Sequence, residues 1–264
     1  MTTVAPDTGV GTLLRSWRER RRISQLELAL RADSSARHIS FIETGRSRPS
    51  EEMILRLAEH LGVPVRERNA LLVVAGYAPR YAQTALDDPA FGALREGMQR
   101  LLQAYEPYPA IVVDGTYDVV AANRGMLVLA EGAAEHLLVP PVNAMRLTLH
   151  PRGLAPRIRN LREWRADLLD QMERQIALVR SAELRELYEE VAGYPVPEDS
   201  SPGPERSLPF ALPLLIEHGG RTLSFVCSIA TFNTPMDVTV SELAIETFLP
   251  ADQATADHLH ALSS

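Results

Sequence analysis

Apolar positions in the first 76 residues recur at helical spacing, in short runs broken by polar turns. Val10, Leu13, Leu14 and Trp17 share one side of a first helix, ringed by Arg15, Arg18, Arg20, Arg21 and Arg22. Ser24, with Glu27 three residues on, has the form of a capping box and opens a second helix whose Leu28 and Ala29 turn inward. Asp33 stands where the next turn needs a residue tolerant of positive φ, and Ser34 is placed to cap a third helix. Ile39 and Ile42 give that helix its buried side, and Gly45 marks its end. Ser50 caps a fourth helix, with Glu51 and Glu52 in the first turn, where the helix dipole favours anions. Met53, Ile54, Leu57, Ala58 and Leu61 form its apolar face; Gly62 closes it, and a fifth helix runs over 64–75 to Gly76.

Beyond residue 76 the pattern becomes mixed. Pro79 and Pro89, with the acids Asp87 and Asp88, interrupt helical pattern here, and residues 77–88 read as a linker. A helix is expected over 89–105, then a strand over 110–114, an Asp114-Gly115 turn, and a second strand over 117–122. Asn123 is placed to cap a short helix to 131. A long helix over 157–180 carries Leu161, Trp164, Leu168, Met172, Ile176 and Val179 on one stripe. Another helix follows over 182–192, then a loop over 195–204 rich in proline, serine and acids. A strand over 208–216 contains Pro209 and Pro213, which argue for an edge or bulged position. Leu223, Phe225, Cys227 and Ile229 alternate on one face of the next strand, which places Cys227 as a buried small hydrophobe. A strand or helix–strand unit over 237–249 and a final helix from 251 complete an α+β chain: an all-α bundle at 1–76, a linker at 77–88, and an antiparallel sheet with helices at 89–264.

Composition sharpens this division. The chain has 264 residues, 45% apolar and 23% charged, the proportions of a globular protein. No apolar run approaches the ~20 residues that span a bilayer, the first nine residues lack a secretion-signal pattern, and one cysteine makes no intramolecular disulfide. A cytoplasmic location is the simple expectation. The net charge of −7 hides an asymmetry: residues 1–80 hold 13 arginines against 9 acids, whereas residues 81–264 hold 14 against 25. A basic head on an acidic body suggests a nucleic-acid-facing module at one end. All 27 cations are arginine, which suits bidentate phosphate and guanine contacts, with genomic base composition as the alternative reading.

The second and third helices with their tight turn have the layout of a helix-turn-helix reader of duplex DNA. On this reading Ser35, Ala36, Arg37 and Ser40 meet base edges in the major groove, and Arg37 grips a guanine for about 1–3 kcal/mol of discrimination. Phe41 lies on a thymine methyl or packs in the core; both readings stand. His38 flanks the contact, and Gln25, at the start of the second helix, faces a phosphate together with free helix N–H groups. Arg46 and Arg48 are placed for backbone phosphates. The Ser24-Gln25…Leu28-Ala29 run, the Ile39…Ile42-Glu43 run and Gly45-Arg46…Pro49 resemble the lambda-repressor-like, or Xre-type, helix-turn-helix family over residues 10–76. The resemblance implies a five-helix bundle that binds operator DNA as a dimer, with Arg18 and Glu43 as a bracing ion pair. Asp33 departs from the glycine usual in that turn.

In the body, the strand, Asp-Gly turn, strand and Asn-capped helix resemble the opening of a PAS domain. The runs Arg146-Leu147-Thr148-Leu149-His150-Pro151, Gly153-Leu154-Ala155-Pro156, Asn160…Trp164, and Thr234-Pro235-Met236-Asp237 through Glu242, Glu246 and Phe248 to Asp252 resemble the ligand-binding region of MmyB-like bacterial regulators. That resemblance implies a PAS-like domain with an apolar cavity for a fatty-acid-like or other small lipophilic effector. Arg146 and His150 are candidates for a carboxylate head group, or are structural hydrogen-bonders. Trp164, Leu168, Met172, Phe225 and Phe248 are candidates for the acyl chain. The alternative is a filled dimerisation platform with no effector. There is no glycine-rich phosphate loop, nucleophile elbow or zinc helix, and His258 and His260, two apart, suit no shared helix face, so neither catalysis nor a metal is expected.

Overall fold

The computed structural model describes residues 9–179, 181–196 and 211–263. The chain divides into two compact units, one built from Met1–Thr84 with Thr234–Ser241, the other from Ala85–Asn233 with Glu242–Ser264.

The first unit holds α1 (Val10–Arg20), α2 (Gln25–Arg31), α3 (Ala36–Glu43), α4 (Glu51–His60) and α5 (Val65–Val74). Leu14, Trp17, Leu28, Ile39, Ile42, Ile54, Leu57 and Leu71 are buried together as its core. The Ser24 hydroxyl accepts the Glu27 N–H at 3.1 Å, and the Ser50 hydroxyl accepts the Met53 N–H at 3.2 Å, closing the starts of α2 and α4. Asp33 adopts φ 48°, the left-handed conformation the turn demands. That conformation sends the Ser34 N–H back to the Ala29 carbonyl at 2.8 Å. The turn therefore consumes Ser34, and Ser35 caps α3 in its place by accepting the His38 N–H at 3.1 Å. Gly11 lets α1 approach the end of α3 closely, since a Cβ there would stand 2.1 Å from the Ile42 carbonyl oxygen.

Part of the expected linker folds onto this unit. The Asn69 carboxamide accepts the Arg80 and Tyr81 N–H groups at 2.9 and 3.0 Å and donates to the Tyr81 carbonyl at 2.8 Å. Beyond it, Asp237 accepts from the Thr84 N–H and hydroxyl at 3.1 and 2.7 Å. Residues 234–241 thus join the head although they lie far along the chain.

The second unit opens with a 3-10 turn at Pro89–Phe91 and α6 (Gly92–Ala104). Its sheet contains β1 (Ala110–Val113), β2 (Val119–Ala122), β3 (Leu214–His218), β4 (Arg221–Thr231) and β5 (Ala244–Pro250). The strands are antiparallel in the order β2-β1-β5-β4-β3. Residues 208–210 of the expected first part of β3 lie outside the described residues, as do 197–204 of the expected loop. Around the sheet run α7 (Met126–Ala130), α8 (Ala144–Leu149), α9 (Leu161–Leu178), α10 (Ala182–Ala192) and α12 (Gln253–Leu262), whereas all but the last residue of α11 (Val238–Glu242) belongs to the first unit. One sheet face packs Val112 and Ile245 against Met98 and Leu102 of α6. The other packs Ile111, Phe225 and Phe248 with Leu161, Trp164 and Met172 of α9.

Two expectations change. Asn123 caps no helix; it is buried, accepts the Ala110 N–H at 3.0 Å, and donates to the Leu102 and Tyr108 carbonyls at 3.1 and 2.8 Å. It satisfies backbone groups where α6 meets the sheet. The long helix begins at Leu161, because Ala155–Arg157 forms a separate 3-10 turn whose Arg157 guanidinium donates to the Leu129 and Glu217 carbonyls.

Candidate functional site

The third helix presents two chemically different sides. Ile39 and Ile42 are each 1% exposed, while Arg37 on the same helix is open to solvent. Phe41 is half-buried, and the Arg37 guanidinium lies 5.2 Å from its ring centroid. Arg46, just past the helix, lies 6.0 Å from the same ring. Arg37, Phe41 and Arg46 thus form one cationic, aromatic surface patch, with Ala36, His38 and Ser40 partly exposed on the same helix. The Ser35 hydroxyl is engaged as the cap.

A second group holds this helix in place. Arg18 meets Glu43 through two hydrogen bonds at 2.6 and 2.9 Å and donates to the Ile23 carbonyl at 2.9 Å. The Glu43 side chain is 2% exposed. A buried carboxylate of this kind needs paired donors, and the guanidinium with the Gln25 amide at 2.8 Å supplies them. Gln25 is therefore a brace for Glu43 rather than a group turned outward to phosphate. Arg48 departs from expectation in the same way: it donates to the Ala75 carbonyl at 2.8 Å and lies 5.6 Å from the Tyr77 ring. The unpaired carbonyl at the end of α5 draws the cation back onto the protein.

In the second unit, Trp164, Met172, Phe225 and Phe248 belong to a single core cluster, with Leu168 packed against it. The Phe225 and Phe248 rings meet edge to face at 6.5 Å. The sheet and α9 thus gather all five residues expected to line an apolar site. Arg146 and His150 are placed differently. Arg146 is held by Glu190 through hydrogen bonds at 2.8 and 3.0 Å, an arrangement that leaves its charge already matched. His150 accepts the Arg152 N–H at 3.0 Å, and its ring packs edgewise on His136 and Tyr194. Burial first, then the nearby His136 and Arg152, hold its imidazole below the usual value. Both residues organise the α8–α10 surface.

Sequence reasoning passed over several polar groups on the α9-facing side of the sheet. Glu246 is one, and burial pushes its carboxyl up to about 7. Tyr117 is another: it is 4% exposed, and its hydroxyl has no hydrogen-bond partner. The Trp164 indole N–H is likewise unpartnered. The available signal was a charge at an inward register position, two residues before Phe248. His218 and His258 also meet, at 3.0 Å, with Glu131 2.7 Å from the far nitrogen of His218. Among the described residues no group of three or more candidate ligands is arranged to hold a metal ion, and no helix is long and apolar enough to cross a membrane.

Residues 14–68 match the helix-turn-helix family. Residues 94–262 match the family described as MmyB-like transcription regulator ligand binding domain. No curated protein matches the chain. Among solved structures, the clp gene regulator ClgR from Corynebacterium glutamicum is 24% identical, with 40% of this chain and 99% of that chain covered and a TM-score of 0.24. An RNA-binding light-oxygen-voltage receptor is 16% identical, with 98% of this chain and 64% of that chain covered and a TM-score of 0.28. With the larger family match spanning most of its length, the chain belongs to the MmyB-like transcription regulators, a helix-turn-helix unit joined to a ligand-binding domain.

Proposed function

We propose that this regulator grips operator DNA as a cytoplasmic homodimer through α3, and that its PAS-like second unit binds a small lipophilic effector that alters the grip. It performs no catalysis on this reading. The observation that carries the DNA half is the surface of α3, where Arg37 and Arg46 lie open around the half-buried Phe41 on a helix anchored by Ile39 and Ile42. A guanidinium so placed suits a guanine edge, and Arg46 suits a phosphate. One such helix reads few bases, so two-fold pairing over half-sites about 34 Å apart is expected.

The lipophilic part of the effector reading is supported by the apolar side chains that α9 and the sheet bring together. A carboxylate head group on Arg146 has no such support, because Glu190 holds that guanidinium. An effector acts by binding one state of the protein better than another.

The test is binding of the full-length protein to DNA from its own promoter region across a salt series. We expect affinity to fall steeply with salt. Arg37→Ala is expected to cost about 1–3 kcal/mol of preference for the operator while leaving the melting temperature unchanged. Salt-independent binding, or an Arg37→Ala protein with full operator preference, overturns the DNA half.

A further inference from the structure

A cleft of about 350 Å³ opens on the second unit, and none of the five apolar side chains expected to meet an acyl chain lines it. Its walls come from the turn after α7 and from residues 151–157, in the connection from α8 to α9. Backbone hydrogen bonds tie these walls together. The Ala134 N–H donates to the Arg152 carbonyl at 2.8 Å, and the Gly153 N–H donates to the His150 carbonyl at 2.8 Å. Gly153 lies tight against α8, where a Cβ would stand 2.1 Å from the Leu147 carbonyl oxygen. A cleft held by backbone is already formed before a ligand arrives, which lowers the ordering cost of binding.

The lining carries charge of one sign. Among the described residues it consists of glycine, alanine and proline with two arginines, Arg152 and Arg157. That runs against the body, where residues 81–264 hold 25 acids and 14 arginines. Other arginines of the body are matched, Arg146 by Glu190 and Arg159 by Glu217. Among the described residues no carboxylate pairs with Arg152 or Arg157. Arg157 is half-buried and donates to the Leu129 and Glu217 carbonyls, neutral acceptors that fix the guanidinium without cancelling its charge. Glu131, the acid whose field reaches it, is engaged by His218 at 2.7 Å. The Arg152 guanidinium lies 3.4 Å from the His136 imidazole and is otherwise exposed.

A cation drawn partly out of water without a counter-charge costs free energy, and an oxyanion from solution recovers it. Guanidinium forks meet carboxylate and phosphate through paired N–H donors. The volume exceeds that of a bare ion and stands at the small end of the range for organic ligand sites. We propose that this cleft binds a small organic oxyanion, a carboxylate or phosphate monoester on a compact carbon skeleton, through Arg152 and Arg157, as a site separate from the apolar one. The oxyanion accepts from both guanidinium groups, and the skeleton rests on the rings of Pro151 and Pro156.

The test is titration calorimetry of the full-length protein with phenyl phosphate, benzoate and the uncharged benzyl alcohol. At least one of the two anions is expected to bind about tenfold or more tightly than benzyl alcohol, and the tighter of them names the oxyanion. Arg152→Ala changes an exposed side chain and is expected to weaken that anion by about tenfold at an unchanged melting temperature. Arg157→Lys, which keeps the charge and loses the fork, weakens it as well. Arg159→Ala removes a guanidinium outside the cleft and leaves the affinity as it was. Neither anion binding more tightly than benzyl alcohol, anion binding that survives both cleft variants, or an equal loss with Arg159→Ala overturns the proposal. Each of these results leaves the lipophilic effector reading standing, since that reading uses other side chains.

Discussion

Glu43 is a buried carboxylate and Glu246 a partly buried one, and their neighbours give them opposite properties. Glu43 receives Arg18 and Gln25, so it is a charged brace between α1, α2 and the end of α3. Removing one partner of such a pair leaves the other stranded, and Glu43→Ala is expected to lose about 3–5 kcal/mol in a denaturant titration. Glu246 receives no such partner. Its folded-state value near 7 lies above the ordinary 4.5, so the folded protein holds this proton more tightly than the unfolded chain does. The stability it contributes is complete below the unfolded value and is lost as pH rises through 7, by about 3 kcal/mol. Glu246→Gln keeps the shape and removes the charge, so its melting temperature is expected to exceed that of the parent at pH 8 and to match it at pH 4. Arg18 and Glu43 were legible in the sequence because the resemblance to a helix-turn-helix pattern names both positions. Glu246 was not, because a lone acid between Ile245 and Thr247 reads as an ordinary polar position until the strand register sets it opposite Ile111 and Ile229.

At the scale of the element, α3 works because its neighbours leave it no freedom. Gly11 brings α1 against the Ile42 carbonyl, and Gly11→Ala would push a methyl into that backbone atom. We expect a loss of about 1–3 kcal/mol in thermal or chemical unfolding, with weaker operator binding as α3 shifts. The five helices were readable from apolar spacing and from Ser24 and Ser50, whose caps follow directly from residue type and position. The start of α3 was one residue off because Ser34 and Ser35 are chemically equal candidates, and the left-handed Asp33 decides between them. Asn123 misled for a similar reason: an Asn before a helix suggests a cap, yet its two-sided amide is drawn into the groups between α6 and β1. The apolar stripe of α9 was legible because Trp164 and Met172 repeat at helical spacing. The pairing of Arg146 with Glu190 was not, since 44 residues separate partners that only the folding of α8 against α10 brings together.

Across the whole molecule, the chain passes between its two units at residues 84–85, 233–234 and 241–242. The segment between the last two crossings is continuous with β4 and β5, the strands that bear Cys227 and Glu246, and it holds residue 84 through Asp237. Asp237 also accepts the Thr239 N–H at 2.8 Å, so a single side chain fixes both its own turn and the chain leaving the head. Asp237→Ala is expected to speed hydrogen exchange at the Thr84 amide by about tenfold or more, without changing exchange at Ile39 and Ile42 in the core of the head. Recombination at residue 84 would cut the polypeptide where it passes once and leave the other two passages behind. A chimera that grafts a foreign reading head onto this body would carry residues 234–241 with nothing to grasp, so these parts are inherited as a matched set rather than as interchangeable beads.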